Sequence, residues 1–226
     1  MVLNSYAISV VVTLFGTIIA VVITAMAAYT LANRNVKYRN GLSLFFFITM
    51  VFSAGIVPWY MICVRMGLQN NLLSLIIPNL LFSPFNLFLV RNYMTGIPDS
   101  LMESAKIDGA NDIFIAFKIY LPLSVPAIAT VALFYGLAYW NDWWNSIMLV
   151  DDSSLYPLQY MLYKLQSEIK ALEMLQAIGV GGSQQTLPSE SLKMATVIVT
   201  IGPIVFLYPF LQRYFIKGLI IGSVKE

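Results

Sequence analysis

Long apolar runs alternate with short polar segments along this chain, and each run is close to the length that crosses a bilayer. The apolar runs cover residues 8–31, 41–64, 71–90, 127–149 and 194–212. Because an α-helix rises 1.5 Å per residue, about 20 apolar residues span the hydrocarbon core. Prolines interrupt the later runs at positions 58, 78, 84, 203 and 209, where they predict bends. The pattern predicts an all-α, polytopic bundle of five membrane-spanning helices.

A polar segment, residues 94–122, separates the third run from the fourth. Ser100 and Glu103 have the spacing of a capping box, in which the two residues satisfy each other's backbone N–H groups, and this predicts a short helix. Gly109 falls where helices commonly end in a left-handed residue. A second short helix is predicted to follow and to stop before Pro122. Two helices joined by a glycine turn outside the membrane indicate a docking element.

The same segment resembles a known signature, E-A-A-x3-G-x9-I-x-L-P, the EAA motif of the membrane-spanning subunits of bacterial ABC importers. The matching residues are Glu103, Ser104, Ala105, Gly109, Ile119, Leu121 and Pro122. The one departure is Ser104, where the motif has alanine. The neighbours Asp108 and Ala110 resemble the form found in carbohydrate importers similar to the maltose permease G subunit and to permeases of complex-oligosaccharide uptake. Residues 212–218 also resemble that family, so the likeness covers essentially the whole chain.

The resemblance implies a permease subunit that conducts oligosaccharides or sugar derivatives while a separate subunit hydrolyses ATP. The implied partners are an ABC ATPase dimer, a second homologous permease chain and an extracytoplasmic solute-binding lipoprotein. Ser104, Ala105, Gly109 and Ala110 are small, so the backbone of this segment fits deep in a partner's groove. Glu103 either caps its own helix or pairs with an arginine of the ATPase.

Composition supports a membrane protein and argues against an enzyme. Hydrophobic residues make up 59% of the 226 residues and charged residues 11%, far from the roughly 45–50% and 25% of soluble domains. The net charge of +2 does not suggest nucleic acid as a partner. The chain has one cysteine, Cys63, no histidine and no P-loop motif, so we expect no disulfide, metal, cofactor or catalytic residue in it.

The distribution of Lys and Arg predicts the orientation, because cytoplasmic loops carry an excess of positive charge. Nine of the thirteen basic residues fall on one side of the predicted spans, at Arg34, Lys37, Arg39, Arg91, Lys106, Lys118, Arg213, Lys217 and Lys225. This side, with the polar segment and the C-terminus, is expected to be cytoplasmic in a bacterial plasma membrane. Relatives of this kind usually have six spans, so we expect that an N-terminal helix is missing here.

We divide the chain into a single transmembrane domain over residues 1–226, a cytoplasmic coupling segment over residues 91–126 and an extracytoplasmic loop over residues 151–193. In that loop an apolar face at helical spacing predicts an amphipathic helix, formed by Leu158, Leu162, Leu165, Ile169 and Leu172. The helix either lies at the membrane interface over the bundle or contacts a binding protein. By resemblance, the following flexible stretch reaches into the binding protein through Gly179, Gly181, Gly182, Ser183 and Gln184.

Four polar or aromatic residues are candidates for the translocation path: Asn86, Trp140, Asn141 and Asp142. An acid at the edge of a span usually faces a cavity or a partner, and aromatic faces beside Asn and Asp suit a sugar. The alternatives are an interfacial aromatic belt for the tryptophans, a subunit contact or gate for Asp142, and a helix-to-helix hydrogen bond for Asn86.

Two other functions remain open at this point. One is an ABC permease for a non-sugar solute such as an amino acid or phosphonate, although the flank formed by residues 107–110 favours a carbohydrate. A secondary transporter or channel would need ionisable residues within the membrane for ion coupling, and only Asp142 qualifies.

Overall fold

The computed structural model describes residues 2–78 and 80–177, together with residues 191, 194, 198, 200, 202 and 205. Every regular element in these residues is helical, which confirms the all-α prediction. In chain order the helices are α1 (Val2–Ala32), α2 (Arg39–Val51), α3 (Ile56–Arg65), α4 (Leu73–Ile76), α5 (Pro84–Met94), α6 (Asp99–Ile107), α7 (Asp112–Ile115), α8 (Leu121–Leu123), α9 (Val125–Trp140), α10 (Trp144–Leu149) and α11 (Leu158–Ala177). A π-helical turn, Ala116–Tyr120, joins α7 to α8, and a 3-10 turn, Ser153–Leu155, precedes α11.

Helix α1 is the centre of the packing, and small residues make its close contacts possible. Its buried face repeats at intervals of three or four residues through Ser5, Ser9, Val12, Gly16, Ala20, Thr24 and Ala28. Because most of these side chains are small, α5 and α9 pack closely on α1, as membrane helices commonly do.

Buried hydroxyl groups tie α1 to α9 and to the start of α5. The Tyr135 hydroxyl on α9 lies 2.7 Å from the Thr24 hydroxyl on α1, and it accepts a 3.0 Å hydrogen bond from the backbone N–H of Ser83. The Ser83 side chain in turn accepts from the backbone N–H of Asn86 in the first turn of α5. Each of these polar groups therefore has a partner in the interior, where an unpaired one would be costly.

The first predicted span coincides with one long apolar helix, and the second is bent at a different place from the one predicted. Among the described residues α1 alone is long and apolar enough by itself to cross a membrane. Helices α2 and α3 meet the same criteria only as a pair bent by 114°. The bend lies at residues 52–55, where Gly55 has a φ of +84°, and not at Pro58, which occupies the first turn of α3.

The later predicted spans are also interrupted. In residues 71–90 the short helix α4 is followed by a non-helical connection, and α5 begins only at Pro84, a residue suited to a helix start. The fourth run divides into α9 and α10. Residues 112–123 and α9 form a second bent pair, with an angle of 82°, so up to three spans are counted in the described part of the chain. Most of the fifth run lies outside the described residues.

Helix α11 is present where the apolar spacing predicted it, but its apolar face is buried only at its start. Leu158 and Leu162 are buried in a small cluster with Trp140, and the backbone N–H of Leu158 donates a 2.7 Å hydrogen bond to the Ser9 hydroxyl of α1. Leu172, three turns further on, is exposed. The start of α11 therefore packs on the bundle, and its second half extends away from the described core.

Candidate functional site

The polar segment folds into two short helical arms, residues 99–107 and residues 112–123, which we call the hairpin. Its first arm, α6, ends in a Schellman motif around Gly109. The backbone N–H of Ala110 donates to the carbonyl of Ala105 at 2.9 Å, and that of Gly109 donates to the carbonyl of Lys106 at 3.0 Å. Gly109 has a φ of +83°, a conformation that glycine adopts without a steric penalty. The glycine turn is confirmed.

The second arm is fixed immediately after the turn. The Asn111 side chain accepts a 2.8 Å hydrogen bond from the backbone N–H of Phe114, the usual N-cap arrangement. Lys106 on the first arm forms a 3.3 Å ion pair with Asp112 on the second. Both partners are partly exposed, so the pair adds little stability. It restrains the angle between the arms, and the turn is therefore held from both sides.

Two details of the predicted hairpin are wrong. Helix α6 begins at Asp99, directly after Pro98, so Ser100 lies inside its first turn and no capping box forms. The second arm does not stop before Pro122. The π-helical turn before Pro122 is wider than an α-turn and leaves room for the proline ring, which would otherwise clash with the carbonyl four residues back.

The inner face of the hairpin is packed into the core of the protein. Met102, on α6, is 4% exposed, and Ile115 and Ala116, on the second arm, are fully buried. Further along, the Tyr120 ring meets the Tyr29 ring of α1 edge to face, with the ring centres 5.1 Å apart. Buried side chains therefore connect the hairpin to the central helix.

The outer face of the hairpin is exposed and apolar. Ile107 is 86% exposed and Ile113 is 66% exposed, and about half of Phe117 is exposed. Exposed apolar side chains grouped in one short segment are typical of a binding site for another protein or a membrane. Sequence reasoning missed these residues, because the sequence shows that they are bulky and apolar but not which face of the hairpin carries them.

The structure divides the signature residues between the two faces. Those that are exposed are Glu103, Ser104, Asp108, Gly109 and Pro122, and those that are partly buried against the core are Ala105, Ala110, Ile119 and Leu121. No described residue forms an ion pair with Glu103, and it caps no helix terminus. Its carboxylate therefore points to solvent in this structure.

One ion pair joins the start of the hairpin to the loop that follows α1. The Arg34 guanidinium lies 3.2 Å from the Asp99 carboxylate, the first residue of α6. An acidic residue in the first turn also interacts favourably with the helix dipole. The hairpin thus contacts the loop after α1 through this pair and α1 itself through the Tyr29–Tyr120 contact.

The candidate path residues have local structural partners. The Asp142 carboxylate accepts from the backbone N–H groups of Trp144 and Asn145 at 3.1 and 3.4 Å, in the first turn of α10. Asn141 donates to the carbonyl of Leu137 and accepts from the side chain of Gln159. These contacts give both residues a role in the break between α9 and α10, and contact with a solute stays a prediction.

The other path candidates are buried, at the positions that the sequence suggested. Asn86 lies in the first turn of α5. Trp140 ends α9 and donates from its indole N–H to the carbonyl of Thr200 at 3.2 Å. The five residues predicted to contact a binding protein, Gly179, Gly181, Gly182, Ser183 and Gln184, lie outside the described residues.

These features define an all-helical membrane protein with a hairpin that packs on the core by its inner face and exposes apolar side chains on its outer face. Residues 20–221 match the family model described as the binding-protein-dependent transport system inner membrane component. The chain belongs to this family. It is the permease subunit of an ABC transport system, located in a membrane, and the subunit itself is not catalytic.

Individual relatives agree with this assignment. The chain is 39% identical over 222 residues to the polygalacturonan/rhamnogalacturonan transport system permease protein YtcP of Bacillus subtilis (strain 168), covering 98% of this chain and 77% of the relative. It is 39% identical over 224 residues to protein LplC of the same organism, covering 99% and 74%. A solved bacterial ABC transporter involved in the import of the acidic polysaccharide alginate has a chain that superposes with a TM-score of 0.82 at 29% identity, covering 94% of this chain and 74% of the other.

Proposed function

We propose that the hairpin is the element through which a partner ATPase drives this permease, with residues 100–119 seated in a groove of the ATPase on the cytoplasmic side. The observation that carries the proposal is the contrast between its faces. The outer face offers Ile107, Ile113 and Phe117 to a partner, and the inner face is packed into the bundle. A rigid element that contacts the ATPase with one face and the helix bundle with the other can transmit a displacement from the ATPase to the bundle.

The displacement would reach two long helices. The second arm continues through Ser124 into α9, and Tyr120 of that arm contacts Tyr29 of α1. Since α1 and α9 pack against each other, movement of the hairpin biases the arrangement of the pair. Nucleotide then shifts the bundle between inward-open and outward-open states only through the different contacts that the ATPase makes in each state.

The expected partners follow from the same proposal. They are an ABC ATPase dimer, an extracytoplasmic solute-binding protein and a second homologous permease chain. Helix α2 supports the last of these, because none of its thirteen residues is buried although Phe45, Phe47 and Ile48 lie on it. Such a surface fits either lipid or a neighbouring permease chain. The Lys and Arg distribution supports a cytoplasmic hairpin and a cytoplasmic C-terminus.

We further propose that the solute is an oligosaccharide that contains uronic acid. Polygalacturonan is a polymer of a uronic acid, and the alginate of the structural relative is named as acidic. Deleting this chain from its host should abolish uptake of labelled oligogalacturonate and spare that of a neutral hexose. Unchanged oligogalacturonate uptake, with loss of a neutral oligosaccharide or a non-sugar solute, would refute the acidic substrate and keep the transport function.

The outer face of the hairpin provides a direct test of the docking proposal. Replacing Ile113 and Phe117 together by serine should weaken association with the ATPase by about 2 kcal/mol, roughly thirtyfold, since both lose apolar area that binding would bury. The chain should still insert, because about two thirds of Ile113 and about half of Phe117 are exposed. Co-purification of the ATPase from membranes at graded salt and detergent measures the effect.

The matched control is Met66→Ser, which removes an equally exposed apolar side chain from the loop after α3. This variant should retain the ATPase. Wild-type co-purification of the Ile113→Ser, Phe117→Ser variant would contradict the docking assignment, as would an equal loss in the control.

A further inference from the structure

A cavity of about 300 Å³ lies where the loop after α1, the end of α5 and the start of the hairpin meet. Three arginines line it, Arg34, Arg39 and Arg91, together with the carboxylate of Asp99 and the ring of Tyr120. The volume is roughly ten times that of a liquid water molecule. The cavity is therefore large enough for a small ionic group and is bordered mainly by guanidinium groups.

The charges in this cavity are not balanced by the described residues. Arg34 pairs with Asp99 at 3.2 Å. Arg39 and Arg91 form no ion pair with any residue in the described part of the chain, which leaves a formal charge of +2 among the lining groups. The Nε atom of Arg91 is also buried without a hydrogen-bond acceptor there. A buried donor of a charged group without a partner is costly, and an anion in the cavity would supply the acceptor.

The position of the cavity indicates which anion this is. Ala32, the last residue of α1, is part of the lining. Helix α1 is long and apolar enough to cross the hydrocarbon core, and a cavity at its end would then lie near the depth of the lipid headgroups. Basic pockets between helix ends at this depth bind phosphate-bearing headgroups, and guanidinium groups bind phosphate oxygens in pairs.

We propose that this cavity is a binding site for a phosphate group, supplied by the headgroup of an anionic phospholipid, with Arg39 and Arg91 as its principal ligands. Arg34 contributes less, since Asp99 competes for it. The site shares Asp99 and Tyr120 with the base of the hairpin, so an occupied site would brace the hairpin against the membrane surface. The binding claim does not depend on the docking function proposed above.

The test is native mass spectrometry of the full-length chain in its complex, extracted from nanodiscs of equal phosphatidylglycerol and phosphatidylcholine. Wild type should retain phosphatidylglycerol. The Arg39→Gln, Arg91→Gln variant should retain at least fivefold less, and Asp99→Asn should retain more, because the competing carboxylate is gone. Arg65→Gln is the matched control, since it removes an exposed arginine that does not line the cavity.

An additional measurement distinguishes the two sources of phosphate. Inorganic phosphate at millimolar concentration is added to the same complexes before analysis, and the retained lipid is counted again. Retention that survives phosphate supports the lipid headgroup. Displacement of the lipid by phosphate in wild type would overturn the lipid source, and equal retention by wild type and the Arg39→Gln, Arg91→Gln variant would overturn the site itself.

Discussion

Replacing Gly109 by valine should reduce coupled transport by at least tenfold while the chain still inserts in the membrane. Gly109 has a φ of +83°, and a β-carbon in the left-handed region costs about 1–2 kcal/mol, more for a β-branched side chain. No atom lies within 4 Å of the position that a Cβ would take, so the cost falls on the backbone turn alone. The Schellman motif that sets the angle between the two arms would open. Uptake of solute per ATP hydrolysed, in proteoliposomes of the complete transporter, measures the loss.

Two variants distinguish a lost turn from general strain. Gly109→Asn should retain most of the coupling, because asparagine adopts the left-handed conformation more readily than other residues. Gly67→Val carries the same kind of strain, since Gly67 has a φ of +70° and open space around it, but it lies after α3 and outside the hairpin. We expect it to leave the ratio of uptake to hydrolysis unchanged. Normal coupling in Gly109→Val would remove the hairpin from the mechanism.

The hairpin shows which features of this fold a sequence can reveal. Gly109 was predictable because only glycine adopts that conformation cheaply, and the turn's hydrogen bonds follow from it. The helix start was not predictable, since Ser100 and Glu103 have capping-box spacing while the helix begins at Asp99, directly after Pro98. The exposure of Ile113 was also hidden. Which face of a short helix is covered depends on the core it packs against, and no local pattern contains that core.

The predicted spans also show what a sequence pattern does not reveal. Composition identified α1, whose 31 residues form one uninterrupted apolar helix. It could not locate the bend between α2 and α3, because apolar content is the same on both sides of a bend. The bend lies at residues 52–55, where Gly55 has a φ of +84°, whereas Pro58 is accommodated in the first turn of α3. Proline was therefore the wrong marker here, since it is well tolerated near a helix start.

Close packing in the centre of the bundle depends on one further glycine. Gly16 lies on the buried face of α1, opposite the Tyr139 ring of α9. A Cβ at Gly16 would lie 2.5 to 2.8 Å from three atoms of that ring, closer than real contacts allow. The ring is not free to withdraw, because its hydroxyl donates a 2.8 Å hydrogen bond to the backbone carbonyl of Ile76. The absence of a side chain at Gly16 therefore sets the distance between α1 and α9.

Gly16→Ala should destabilise the folded chain by about 1–3 kcal/mol, the usual cost of overpacking a core. The α1–α9 contact has to open or the Tyr139 hydrogen bond has to break, and the loss is measured by thermal unfolding of the detergent-solubilised complex. Gly136→Ala on α9 is the matched control, because its Cβ would meet only the Thr17 hydroxyl at an ordinary 3.7 Å. In the double variant Gly16→Ala, Tyr139→Leu the loss of stability should be smaller than the sum of the two single losses, since leucine lacks the ring atoms that collide with the new Cβ. Simple additivity of the two changes would show that the helices are held apart by something other than this contact.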